Sequence, residues 1–241
     1  MSRSFEPIIR TEKKKEANKF FYIACEGHVT EVEYFQKLNE VGGKCKFVHY
    51  ERPENEKNNS SPKNVFKTLK KNVKEAGLNP KTDECWIIVD RDKWDENLSE
   101  AVQECLNHNY KYSVSSPCIE IWFIMHLVKI DSLIKPFQAP LLENPIFYMR
   151  KNRRKTKVQF CESYLNLLLK TYLGEDVAYE KNSALPDEFF NKEKITFAIA
   201  QAKEIEEGIS DPNYRYPTSH IGSQLYQLLE SFLKFNEEYK E

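Results

Sequence analysis

The stretch Phe20-Phe21-Tyr22-Ile23-Ala24-Cys25-Glu26-Gly27 is an unbroken apolar run that stops at a carboxylate and a glycine. A second run, Cys85-Trp86-Ile87-Ile88-Val89, stops at Asp90-Arg91-Asp92. Runs of this kind, rich in aromatic and β-branched residues, read as strands buried on both faces of a largely parallel sheet. In open α/β sheets the site lies beyond the carboxyl ends of such strands. Glu26, Asp90 and Asp92 are therefore expected in one crevice, with Asp90 and Asp92 on the same side if the extended backbone continues through Arg91. Mg²⁺ takes one or two carboxylates and keeps waters at its other positions, so this acid set suits Mg²⁺ or Mn²⁺. A polar turn after each strand is the plainer alternative.

The sequence around these runs alternates strand and helix. Helical spacing is expected over residues 30–39, with Thr30 and Glu33 at capping-box separation. Residues 44–50 alternate like a half-exposed strand, and residues 52–63 are polar and proline-flanked, as in a loop at the site end of the sheet. Helices are expected over 64–76, closed by Gly77, and over 98–108, with strands over 85–89 and 110–115 and Ser116-Pro117 opening a further helix. This βαβ order defines an α/β core over residues 20–130, preceded by a polar, solvated arm at residues 1–19. Beyond residue 129, Pro136, Pro140 and Pro145 punctuate an irregular stretch. Helical patterns over 158–173, 185–190, 195–209 and 222–239 then make residues 131–241 a mostly helical half packed on the core. The expected class is α/β, a largely parallel sheet flanked by helices.

Composition narrows the function. Of the 241 residues 40% are hydrophobic and 30% charged, and no apolar stretch reaches the length of a membrane span. The six cysteines form no Cys-x-x-Cys pair, which argues against structural zinc and disulfides and fits a reducing cytoplasm. No Walker sequence is present, so any ATP-driven step would come from an ATPase partner. The net charge of -1 gives no general affinity for nucleic acid, but Arg150, Lys151, Arg153, Arg154, Lys155 and Lys157 concentrate six cations in eight residues. Such a strip is either a solvated face or a phosphate-binding surface beside the acids.

The order Glu-Gly after one strand and Asp-x-Asp after a later one resembles the Toprim catalytic fold of topoisomerases, primases and OLD-type nucleases. Ala24-Cys25-Glu26-Gly27-His28-Val29-Thr30-Glu31-Val32-Glu33-Tyr34-Phe35, Asp90-Arg91-Asp92-Lys93-Trp94, and Ser115-Ser116-Pro117-Cys118-Ile119-Glu120-Ile121-Trp122 with His126 are more particular. Together they resemble the RloB family, Toprim-like proteins found near restriction and abortive-infection genes. Tyr179-Glu180-Lys181 and Tyr216-Pro217-Thr218-Ser219 echo two further family blocks, the second with Tyr216 where Asn is usual. The resemblance spans residues 20 to 230. It implies that Glu26 acts as general acid-base or metal ligand, and it brings Glu31, within the Glu-Gly-x-x-Thr-Glu block, into the site as a metal ligand or a supporting acid.

Glu33 is accounted for by the capping box. Glu120 interrupts an apolar run, where an unpaired charge would cost several kcal/mol, so it is either a ligand or paired with a Lys or Arg. His126 shares a helical face with Ile119, Trp122 and Phe123, the place of a hydrogen-bonded core histidine, with a catalytic role as the alternative. Lys181 either supplies a cation to a transition-state phosphate or is an ordinary surface lysine. The resulting expectation is a Mg²⁺-dependent nuclease cutting RNA, transfer RNA included, or DNA in an antiphage or restriction-associated system. The rival is a catalytically idle Toprim-like subunit that binds nucleic acid or an ATPase partner.

Overall fold

The computed structural model describes residues 19–41, 43–52, 60–91, 94–129, 135–151, 154–181 and 185–238. The apolar runs become β1 (Lys19–Cys25) and β3 (Glu84–Asp90), which lie side by side and parallel with Cys25 opposite Ile88. β2 (Cys45–His49) flanks β1 and β4 (Lys111–Ser116) flanks β3, both parallel. A two-residue β7 (Gly222–Ser223) closes the sheet antiparallel to β4, giving the order β2-β1-β3-β4-β7. The carboxyl ends of all four parallel strands thus share one edge.

Strand periodicity separates two cores. Phe21, Ile23 and Cys25 of β1, with Trp86 and Ile88 of β3, face one core, while Ala24, Ile87 and Val89 face the other. The smaller core is covered by α2 (Pro62–Glu75) through Val65, Phe66, Leu69 and Val73, and by α3 (Asp95–Asn107) through Leu98, Ala101, Val102 and Cys105. The larger is covered by α1 (Thr30–Val41), α4 (Glu120–Met125), α6 (Phe160–Leu173), α7 (Lys192–Glu207) and α8 (Leu225–Glu238), so the carboxy-terminal half packs directly on the sheet. Each buried Leu, Ile or Phe in these layers contributes about 1.5–3 kcal/mol.

Several boundaries differ from the sequence reading. α2 begins at Pro62, a residue suited to the first helical turn because its missing N–H is not needed there. α4 begins at Glu120 rather than at Pro117, which follows a cis peptide bond. Of the basic strip, Arg150, Lys151, Arg154, Lys155 and Lys157 lie in an antiparallel hairpin of β5 (Ile146–Lys151) and β6 (Arg154–Gln159), so α6 starts at Phe160 rather than residue 158. The hairpin follows α5 (Gln138–Glu143), whose cap Asn144 takes the left-handed conformation that Asn tolerates. The Asn144 side chain accepts the Cys161 N–H at 2.9 Å, fastening the base of the hairpin to α6. Residues 187–190 form a 3₁₀ turn, and β7 precedes α8 where a continuous helix was expected. The arm at 1–18, most of the loop at 53–59, Asp92 and Arg153 lie outside the described residues.

Candidate active site

Glu26 follows β1 directly, and its backbone N–H continues the ladder to Ile88 O at 2.9 Å. Its carboxylate turns across to β3, where Oε2 accepts the Asp90 N–H at 3.1 Å and Oε1 accepts the Trp94 indole N–H at 3.2 Å. Asp90 is the last residue of β3, paired with Ser115 of β4. Burial, and then the charges of Glu26, Glu31 and Glu120, push its carboxyl well above the ordinary aspartate range, against the opposing pull of Lys181. Two strand ends thus deliver two acids to one place, as the apolar runs imply. Arg91 points elsewhere and pairs with Asp95 at 3.6 Å.

Glu31, 5% exposed, accepts the Gly27 N–H through Oε1 at 2.8 Å. Burial raises its pKa, with Glu120 adding to the rise and its backbone hydrogen bonds opposing it. A Cβ on Gly27 would fall where the Glu31 carboxylate lies, so any side chain here would displace that carboxylate. The expected capping box does not form. Thr30 is already helical, the Glu33 N–H bonds Val29 O, and the Glu33 carboxylate accepts the Leu185 N–H at 3.1 Å instead.

Glu120 is 1% exposed and opens α4. Its Oε1 accepts the Tyr179 hydroxyl at 3.0 Å and lies 3.4 Å from Lys181 Nζ, while Oε2 is buried with no hydrogen-bond partner. Glu120 is thus paired with Lys181 through one oxygen only, which leaves the other for a ligand role. Lys181 is 45% exposed and also donates to Gln159 at the end of β6 at 2.8 Å. Burial works against its ammonium, but Glu120 and more distant anions outweigh this and raise its pKa.

Glu26, Glu31, Asp90, Glu120 and Lys181 are thus brought within electrostatic reach of one another. His126 is not brought to them. It is fully buried against Trp122, Phe123 and Phe189, its Nδ1 bonds Trp122 O at 2.8 Å, and burial lowers its pKa to about 4. Arg150, Lys151, Arg154 and Lys155 lie on the hairpin strands, whose base meets the cluster through the Gln159–Lys181 bond. Among the described residues no three His, Cys, Asp or Glu side chains are placed together as a metal-holding group. Glu26, Glu31 and Glu120 each turn an oxygen to a protein donor.

Three residues of the site escape a reading of the sequence. Arg52, 4% exposed, donates to Cys25 O at 3.0 Å and Glu26 O at 2.6 Å and meets His28 Nε2 at 2.7 Å, fixing the turn that carries Glu26. Burial lowers its pKa against the favourable pull of Glu26. The signal was its position just past β2, at the site end of the sheet. Trp94 and Tyr179 supply donors to Glu26 and Glu120, and both stand within sequence blocks already singled out.

A mostly parallel α/β sheet with an acid cluster and one lysine beyond its strand ends defines the class of protein. The chain belongs to the RloB-like protein family, whose sequence pattern matches residues 21–232. No curated protein and no solved structure matches it. No helix among the described residues is long and apolar enough to cross a membrane.

Proposed function

We propose that this RloB-like protein is a divalent-metal-dependent nuclease with a Toprim-like site, acting on RNA or DNA in an antiphage or restriction-associated system in the cytoplasm. The observation that carries this reading is the meeting of Glu26 with Asp90 beyond the ends of β1 and β3, with the buried Glu120 after β4 near enough to raise the pKa of Asp90. An all-oxygen, mutually repelling donor set with the unpartnered Glu120 Oε2 has the chemistry of a hard-cation site. Asp90, Glu120 and Glu26 would hold Mg²⁺ or Mn²⁺, with Asp92 and Glu31 as further carboxylates. Bound there, the ion would lower the pKa of a coordinated water and stabilise charge on phosphoryl oxygens.

The residues of the chain divide the remaining work. Glu26, half-buried at the turn after β1, is the proton carrier, and Arg52 holds its backbone against movement. Lys181 places a positive charge at the rim, where it can meet a phosphate in the transition state. The β5–β6 strip neutralises backbone phosphates that the acids alone would repel.

One observation favours the idle-subunit reading, in which the chain binds nucleic acid or an ATPase partner without cutting. Three of the carboxylates already have protein donors. Incubation of the purified chain with total RNA and with plasmid DNA, in Mg²⁺, Mn²⁺ or chelator, separates the two. Metal-dependent cleavage supports the nuclease and identifies the substrate class. Intact nucleic acid in every condition supports the subunit.

A further inference from the structure

We infer that Tyr179 is a positioning residue that ties one oxygen of Glu120 and so fixes which oxygen is offered to the carboxylate crevice, and that Asn166 holds Tyr179 in place for this task. The inference rests on the metal-site reading above and adds to it a device from the carboxy-terminal half. Residues 177–180 have no helix or strand of their own. Within it, the backbone of Tyr179 is held by a side chain of α6. Asn166 Nδ2 donates to Tyr179 O at 2.8 Å, and Asn166 Oδ1 accepts the Tyr179 N–H at 2.8 Å, so one amide satisfies both backbone groups of that residue. The Tyr179 ring is 1% exposed and packs on Phe123 of α4, with ring centroids 6.0 Å apart.

With the ring fixed at its backbone and its face, the hydroxyl reaches Glu120 Oε1, to which it donates at 3.0 Å. A free carboxylate has two equivalent oxygens and a rotatable terminal torsion. Here Oε1 is held by Tyr179 and Lys181, while Oε2 is buried and has no partner. A buried unpaired carboxylate oxygen is costly unless it has a task. The pair of contacts on Oε1 orients Glu120 in the way that partners behind a ligand carboxylate orient it toward a metal.

The test uses the full chain and Mn²⁺ binding followed by isothermal titration calorimetry, together with steady-state cleavage. Tyr179→Phe keeps the ring and removes only the hydroxyl. We expect Mn²⁺ affinity to fall at least about tenfold, the low end for partners that orient metal ligands, with kcat lowered and KM little changed. In a Glu120→Gln background, adding Tyr179→Phe should cost little more, since a residue acting through Glu120 has nothing left to orient. Asn166→Ala should shift binding in the same direction, and it decides the matter if Tyr179→Phe does not fold. Wild-type affinity in both single variants, or an equal loss from Tyr179→Phe in both backgrounds, overturns the inference and leaves the metal site standing. Absence of Mn²⁺ binding by the wild type overturns the metal site, and the inference with it.

Discussion

The Glu26 carboxylate accepts the backbone N–H of Asp90 at 3.1 Å, so the acid after one strand is held by the backbone at the end of its neighbour. The sheet backbone thereby fixes one oxygen of Glu26, and the Trp94 indole fixes the other. The consequence is electrostatic. Asp90 ends among Glu26, Glu31 and Glu120, and each raises its pKa.

This repulsion predicts an unusual pH dependence. A carboxyl whose native pKa stands above its unfolded value binds more protons folded than unfolded, so its contribution to stability falls as pH rises through that window. For Asp90 the window opens near the ordinary aspartate value of about 4 and extends upward to the raised native value. Without metal, Asp90→Asn should therefore melt higher than the wild type at neutral pH. Each kcal/mol of relieved repulsion is worth about 2–4 °C in a chain of this size. Mn²⁺ should raise the wild-type melting temperature and not that of Asp90→Asn. A wild type that melts higher than Asp90→Asn in chelator at pH 7 would contradict the assignment.

The Gly27–Glu31 contact makes a steric prediction. Alanine at position 27 places a Cβ where the Glu31 carboxylate lies, so the carboxylate must leave and lose its bond to the Gly27 N–H. Loss of a buried hydrogen bond to a charged group costs about 1.5–3 kcal/mol, readable by urea denaturation. Glu31→Gln in the Gly27→Ala background should add little, because the contact is already broken. A Gly27→Ala chain as stable as the wild type would show that Glu31 does not need this space.

Arg52 offers a sharper chemical comparison. Its guanidinium reaches Cys25 O and Glu26 O with two nitrogens, which a lysine ammonium cannot match in a fixed fork. Arg52→Lys should lower stability and also lower activity by loosening the Glu26 turn. Arg52→Ala should do both more severely, by about 2–4 kcal/mol in stability, because two carbonyls lose a charged donor. Equal activity of Arg52→Lys and wild type would confine Arg52 to folding.

These cases show where the sequence is legible. β1 and β3 are readable because Ile23 to Cys25 and Cys85 to Val89 are buried on both faces and so are apolar at successive positions, and acids follow directly at their ends. β2 is readable by its alternation, with Cys45 and Phe47 buried and Lys46 exposed. The β5–β6 hairpin is hidden because its cations obscure the period of two, and β7 because two residues carry no period at all. The roles of Arg52 and Tyr179 depend on approach across the fold, 26 to 59 positions along the chain, and no local pattern records them. Glu33 is the reverse case, since its spacing matches a local motif and its carboxylate bonds a residue 152 positions away.

The hairpin reading is tested by salt. If Arg150, Lys151, Arg154 and Lys155 contact phosphates, changing all four to glutamine should weaken binding to every sequence and reduce the log–log salt slope by about 0.7–0.9 per lost contact. The melting temperature should hardly move, because Ile146 and Tyr148 of the same hairpin stand exposed. A salt slope identical to that of the wild type would leave the strip as a solvated surface.

The assignment of Glu26 as proton carrier allows a direct comparison between the two ends of the sheet. Glu26→Gln keeps an amide oxygen to accept the Asp90 N–H or the Trp94 indole, so its fold should survive while its capacity to carry a proton is lost. Cleavage should fall at least about a hundredfold, the low end of general acid-base effects, with nucleic-acid binding retained. Glu84 supplies the control. It begins β3 at the opposite edge, where it pairs with Lys111 at 2.9 Å and Lys19 at 3.1 Å and accepts the Ser231 hydroxyl at 2.9 Å. Glu84→Gln should therefore lower the melting temperature and leave cleavage per folded molecule unchanged. If instead Glu26→Gln cuts as fast as the wild type, the proton carrier is another group. If neither variant nor the wild type cuts, the strand-end acids serve binding alone and the chain acts as the subunit of a larger complex.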